Sequence, residues 1–220
     1  MKSSRLFTIG FLVVLAACGS GKQTMKYTLR VVAPTDARAM ELIQATERVM
    51  NRKMAAAKIA SGHATALPAG AKSGTLTITV PDGEAATKVR SMLAQPFTFD
   101  IRVENTTASG SSAGSQWIPT ALTGSALESV RAIGNSRTQA VSVELNFTSG
   151  GRTVLQSVFS QNQGKNIGIF VRGLLVSKLS VQGKTTDGRV VIEGIPSAVV
   201  AEVFADDVNV GLGIVFITAS

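Results

Sequence analysis

In residues 74–80, GTLTITV, Leu76, Ile78 and Val80 take every second position and threonines stand between them. A period of two puts the apolar side chains on one face of a strand and the hydroxyls on the other. The segment can therefore fold only as part of a sheet with one face against a core. Tyr27, Leu29 and Val31 repeat the pattern, as do Phe97, Phe99, Ile101 and Val103 in FTFDIRV. Between these strands the period becomes helical. Pro34-Thr35 opens a helix with Thr35 as N-cap; Met40, Ile43, Met50 and Met54 lie near one face, and it ends near Ala57. Lys58 to Leu67 reads as a further strand, and Ala85, Val89, Met92 and Leu93 mark a short amphipathic helix. The order over residues 27–103 is strand-helix-strand-strand-helix-strand, the ferredoxin-like βαββαβ arrangement. Right-handed crossovers put both helices on the same face of its sheet.

Residues 104–116, containing ENTTASGSSAGS, have the composition of a polar linker. A second lobe follows over residues 117–209, with a closing strand, GLGIVFI, in residues 210–220. Within it Ser125-Ala126-Leu127-Glu128 has the form of a helix capping box. A strand carries Val141, Val143, Leu145 and Phe147, and a helix carries Val154, Leu155, Val158 and Phe159. Strands are expected around 167–171, 174–181 and 189–192, and a last helix presents Val199, Val200, Val203 and Phe204. The fold class is α+β: a ferredoxin-like base lobe and a second α+β head lobe of mainly antiparallel strands.

The N-terminus has a different character. Lys2 and Arg5 precede an uncharged run from Leu6 to Ala17, a basic and then apolar pattern ending in small residues, which is that of a secretory signal over residues 1–17. It is shorter than the ~20 residues that a spanning helix needs. The only cysteine of the chain, Cys18, follows Leu15-Ala16-Ala17 and precedes Gly19, the pattern of a bacterial lipobox. Its thiol would take a diacylglycerol, making Cys18 the lipid attachment site, and residues 18–26 would form a polar tether. The expected location is extracytoplasmic and lipid-anchored, at the outer face of the cytoplasmic membrane or on the outer membrane of a two-membrane bacterium. With that thiol acylated no disulfide can form, so stability must come from the core. Without residues 1–17 the formal charge falls from +8 to +6; in an exported protein this suits anionic lipid headgroups or envelope polymers better than nucleic acid, and a solvated surface with spread lysines and arginines accounts for it better still.

Motifs for chemistry are weak. His63 is the only histidine and follows Ser61-Gly62, without the second histidine or free cysteine that a metal site would draw on and without a G-x-S-x-G nucleophile. GSGKQT, from Gly19, lacks both the residue after the lysine and the preceding strand of a phosphate-binding loop. Ser149-Gly150-Gly151-Arg152 could offer amides to an anion at a helix N-terminus, but is better read as the opening turn of a helix packed in place. Asp206-Asp207 are adjacent and point apart, which suits a solvated helix end better than a shared acid–base site. No catalytic residue, cofactor, metal or small-molecule substrate is expected.

LTGSAL (122–127), VELNFTSGG (143–151), NQGKNIGIFVRGLLVSKLSV (162–181) and DGRVVIEGI (187–195) resemble, in order and spacing, the first periplasmic domain of the SecD family, the membrane accessory of the Sec protein-export translocon. ERVMNRKMAAA (47–57) and the stretch from Leu76 to Val103 resemble the base of that domain. The resemblance implies a ferredoxin-like base carrying a head, both engaging exported chains. The sequence departs from the family at Arg172-Gly173, where Asp-Gly is usual and suits a primed turn better, and at Lys178-Leu179 after Ser177. It also lacks the membrane-spanning helices and their acidic residues, with a lipid on Cys18 in the place of the first. Together these imply a non-enzymatic, lipid-anchored binding module for unfolded exported polypeptides or Sec subunits. The alternative is a structural lipoprotein that uses the fold to hold an envelope complex together.

Overall fold

The structure, a computed structural model, describes residues 21–105, 116–134, 140–183 and 187–218. The signal, Cys18 and most of the expected linker lie outside the described residues.

The base begins with β1 (Gln23–Val31), four residues earlier than its clearest alternation and inside the stretch expected as tether. Its inward side chains, Met25, Tyr27, Leu29 and Val31, are all buried. The next element, α1 (Asp36–Ala56), starts as expected: the Thr35 side chain accepts a hydrogen bond from the Arg38 N–H. Ile43, Met50 and Met54 are buried, but Met40 is half exposed and belongs to the outer flank, its place being taken by Ala39 and Leu42. Then come β2 (His63–Gly70), β3 (Ser73–Val80) and α2 (Gly83–Ala94), the last capped by Asp82, whose carboxylate accepts from the Ala85 N–H at 2.8 Å.

Here the structure corrects the sequence reading. FTFDIRV forms β4 (Phe99–Asn105), but β4 is not the fourth strand of the base. That place belongs to β11 (Ile214–Thr218), which pairs antiparallel with β1 through Val31↔Ile214 and Tyr27↔Thr218. The base sheet runs β11-β1-β3-β2, and the head is inserted between α2 and β11. Alternation shows that a strand has two faces and says nothing about which sheet receives it.

The head holds two sheets. One runs β5-β4-β8-β9, with β5 (Gln116–Thr123), β8 (Asn166–Val171) and β9 (Leu174–Ser180). The other runs β10-β7-β6, with β6 (Leu127–Gly134), β7 (Val141–Phe147) and β10 (Arg189–Ile192). All their pairings are antiparallel. The expected capping box does not open a helix. A single 3-10 turn (Gly124–Ala126) leads into β6, because the β-branched and alternating residues beyond Glu128 pair with β7. The expected linker is also shorter at both ends, since Glu104 and Asn105 lie in β4 and Gln116 in β5.

Two helices complete the head. In α3 (Ser149–Gln161) the N-cap is Thr148, whose hydroxyl accepts from the Gly151 N–H at 3.1 Å. A Cβ at Gly151 would collide with the Ala126 carbonyl, so Ser149-Gly150-Gly151 is a close crossing of helix and chain, as its packed reading expected. In α4 (Ala198–Gly213) Val199 and Val200 are exposed, contrary to expectation, and Ala201, Ala205, Val208 and Val210 are buried. The helix extends to Gly213, through residues expected to begin the closing strand. Small residues face inward because the helix runs close to its neighbours: a Cβ at Gly213 would stand 2.8 Å from Leu42 Cδ1.

Candidate binding surface

The fold places α4 between the two lobes. Ala201, Ala205 and Val208 join the head core, while Val210 joins the core of the base, where Ile43, Met50, Leu76 and Ile78 are buried. Asp206, expected on a solvated helix end, instead lies mid-helix against α1. Its carboxylate accepts from Arg48 Nε at 3.0 Å and Nη2 at 2.8 Å, and from both Arg52 Nη atoms at 3.1 Å. The side chain of Asp206 is 14% exposed, so these charge-assisted bonds work in a partly dehydrated setting. The hydrogen bond to Asp206 is the chief reason the Arg48 pKa is raised above its ordinary value. Asp207 stands 4.0 Å from Arg52. The pair therefore joins head to base.

His63 is exposed at the start of β2, with Nε2 3.1 Å from the Thr65 hydroxyl. Among the described residues no group of three or more His, Cys, Asp or Glu side chains could hold a metal ion. A cleft of about 630 Å³ opens between the lobes, lined by Val32, Leu42, Leu127 and Leu212 with Arg38 and Arg152 among the polar residues. Arg38 is already committed to Glu41 at 2.9 Å.

The sheet edges give the clearest contrast. The free edge of β2 is occupied by α1: Asn51 exchanges two 2.9 Å hydrogen bonds with the Ala64 backbone, and Glu47 accepts from the Ala66 N–H at 2.9 Å. Asn209 of α4 does the same for Val130 on β6, donating at 2.8 Å and accepting at 2.9 Å. Pro119 interrupts β5, and β10 and β11 have four and five residues. That leaves β9, seven residues long and without proline, with Leu174 71% exposed and Leu175 and Val176 nearly half exposed. A long apolar edge is a template for another extended chain.

The side chains around β9 fix its position. Arg172-Gly173 forms the β8–β9 turn with φ of 51° and 78°, the left-handed values of a primed turn, despite arginine being a poor residue there. The Arg172 N–H donates to the Thr98 carbonyl at 2.8 Å, and its guanidinium lies 5.6 Å from the Phe97 ring centroid. On the outer face of the sheet Trp117 meets Phe170 edge-on at 5.5 Å, and Arg102 stacks 4.1 Å over Phe170. Both rings and Leu175 close over Gly168, where a Cβ would lie 2.7 Å from Trp117 and 2.8 Å from Leu175. Lys178 donates to Glu104 at 2.7 Å, and Asn166 donates to the other carboxylate oxygen at 2.6 Å. Sequence reasoning singled out only Lys178 of this cluster, as a departure from the family, because its members come from β4, β5, β8 and β9.

The comparisons agree with this architecture. Residues 107–211 match the family model described as SecDF, P1 head subdomain. A solved structure of SecDF, described as a membrane component that enhances protein export, is 19% identical with a TM-score of 0.50, covering 89% of this chain and 98% of that one. The SecDF of Thermus thermophilus, described as a translocon-associated membrane protein, is 18% identical with a TM-score of 0.50, covering 90% of this chain. The chain spans 30% of the length of that protein. A comparison with curated protein sequences gave no match. Among the described residues no helix is long and apolar enough to cross a membrane. Residues 107–211 thus resemble the SecDF P1 head subdomain, and they are set into a base with ferredoxin-like strand order.

Proposed function

We propose that this chain is a non-enzymatic binding module of protein export, held by a lipid on Cys18 at the outer face of the cytoplasmic membrane, which takes extended polypeptide segments by strand addition to β9. The observation that supports it most is the edge itself. Other free edges are bonded by Asn51, Glu47 or Asn209, interrupted by proline or short, whereas β9 is long and apolar. Main-chain hydrogen bonds to an edge supply affinity without regard to sequence, which suits a protein meeting many unfolded clients. The likeness to SecDF, a component that enhances protein export, supports the same direction.

The test places a photoreactive residue at Val176 and captures partners in native membranes. Recovery of translocon subunits or of many unrelated exported chains is expected. Recovery of one envelope protein in fixed stoichiometry would instead establish the structural, complex-holding reading. In purified protein, L174K/V176K is expected to weaken binding of unfolded polypeptide about tenfold without loss of fold, since both side chains are exposed. The anchor is tested separately: C18S should abolish acylation and release the protein from membranes.

A further inference from the structure

Among the described residues, one face of the base sheet is covered and the other is bare. Ile43 of α1 packs against Gly74 of β3 on the covered side, and α1 in turn holds α4 through Asp206, so the head lies on that side too. Cross-strand register identifies the opposite face. Thr24, Lys26, Thr28 and Arg30 of β1 stand beside Thr79, Thr77, Thr75 and Ser73 of β3, with His63, Thr65 and Leu67 of β2 beyond. On the other flank Arg30 and Thr28 stand opposite Val215 and Ile217 of β11.

The chemistry of this face is one-sided. None of the four strands contains an aspartate or glutamate. Lys26 and Arg30 are exposed in its centre, and exposed Lys22 and Lys72 lie just before β1 and in the β2–β3 turn. Exposed aliphatic side chains flank the cations: Leu67 at one edge, Val215 and Ile217 at the other. No phenylalanine, tyrosine or tryptophan stands at these positions, and the one imidazole, His63, lies at the edge, so the row of stacking rings that nucleic acid requires is missing.

We infer that this bare face of the base sheet docks on an anionic lipid bilayer. A cationic, hydroxyl-rich centre with aliphatic flanks fits a headgroup layer, which offers negative charge at its surface and apolar chains just beneath. The inference also rests on the proposed lipid at Cys18. Four residues lie between Cys18 and Gln23, and the five chain steps reach at most about 18 Å, so an anchored Cys18 holds β1 within that distance of the headgroups. Docking by this face turns the head, with its β9 edge, away from the membrane.

The test uses the mature protein on vesicles of phosphatidylcholine alone or mixed with phosphatidylglycerol. Labelling of T28C by a water-soluble maleimide is read by mass spectrometry of the peptide. The phosphatidylglycerol vesicles are expected to slow labelling at T28C about tenfold, and K26Q/R30Q is expected to restore the rate. An S160C control on the exposed side of α3 should label equally on both vesicles. Equal rates at T28C on the two vesicles, or equal slowing at S160C, would overturn the inference, as would protection by a soluble polyanion but not by phosphatidylglycerol. Protein that does not float with neutral vesicles lacks its lipid, a failure of the anchor and not of the face. T28C is then read with anionic vesicles in excess, where protection supports docking and its absence refutes it.

Discussion

Lys58 shows how a single residue can work against its own backbone. It follows α1 at φ 56°, and its N–H donates to the Ala55 carbonyl while the Ile59 N–H donates to Met54, the bond pattern of a Schellman motif. Glycine is at home in this left-handed position and lysine is not, so K58G is expected to stabilise the protein by about 1 kcal/mol, measured by urea unfolding. Asp206 works in the other direction. D206N leaves two guanidinium groups facing each other, with Arg52 Nε buried and without a hydrogen-bond partner among the described residues, and should cost about 1–3 kcal/mol. Lys53 gives a pH signature. Burial lowers its pKa, the Arg172 charge lowers it further, and Asp207 opposes both. Between that lowered value and the ordinary 10.5 the unfolded chain binds more protons, so stability rises with pH across the window. K53M should flatten the rise and increase the Tm at neutral pH, checked by thermal melts at several pH values.

At the scale of elements, the strands and most helices were legible because their periods differ and their caps are explicit. Thr35 and the alternating residues of β1, β3 and β7 declare themselves locally. The failures share a cause. Ser125 to Glu128 satisfies a capping rule, yet the following residues gain more by pairing with β7 than a helix could offer. In α4 the exposed Val199 and Val200 suggested one face, while the true contact face is made of Ala201, Ala205 and Gly213, whose small size marks close approach instead of hydrophobicity. The binding edge is likewise a property of assembly. Nothing in LLVSKLS says that it stands at the end of a sheet, or that Asn51 and Asn209 close other edges. Of the candidate site, the Arg172-Gly173 turn, the strand after it and Lys178 are legible in the sequence, and the position at the sheet edge is not.

For the whole molecule, α4 and β11 decide cooperativity. The base is completed only after the head has been traversed, and one helix contributes side chains to both cores. Unfolding of either lobe would therefore expose the shared helix of the other. The chain carries its own reporters, because its only tryptophan, Trp117, is in the head and its only tyrosine, Tyr27, in the base. Trp117 fluorescence and Tyr27 absorbance are expected to change together in one denaturant transition. Two separated transitions would mean that the lobes are energetically independent. By itself the sequence determined the α+β class and the strands other than β5 and β6, since these follow from periodicity and caps acting over a few residues. Only the tertiary structure decided that β11 and not β4 closes the base, that Asp206 ties the lobes together, and that β9 ends its sheet among the described residues. Sheet membership and edge exposure depend on contacts between residues far apart in the chain, and local patterning carries no record of them.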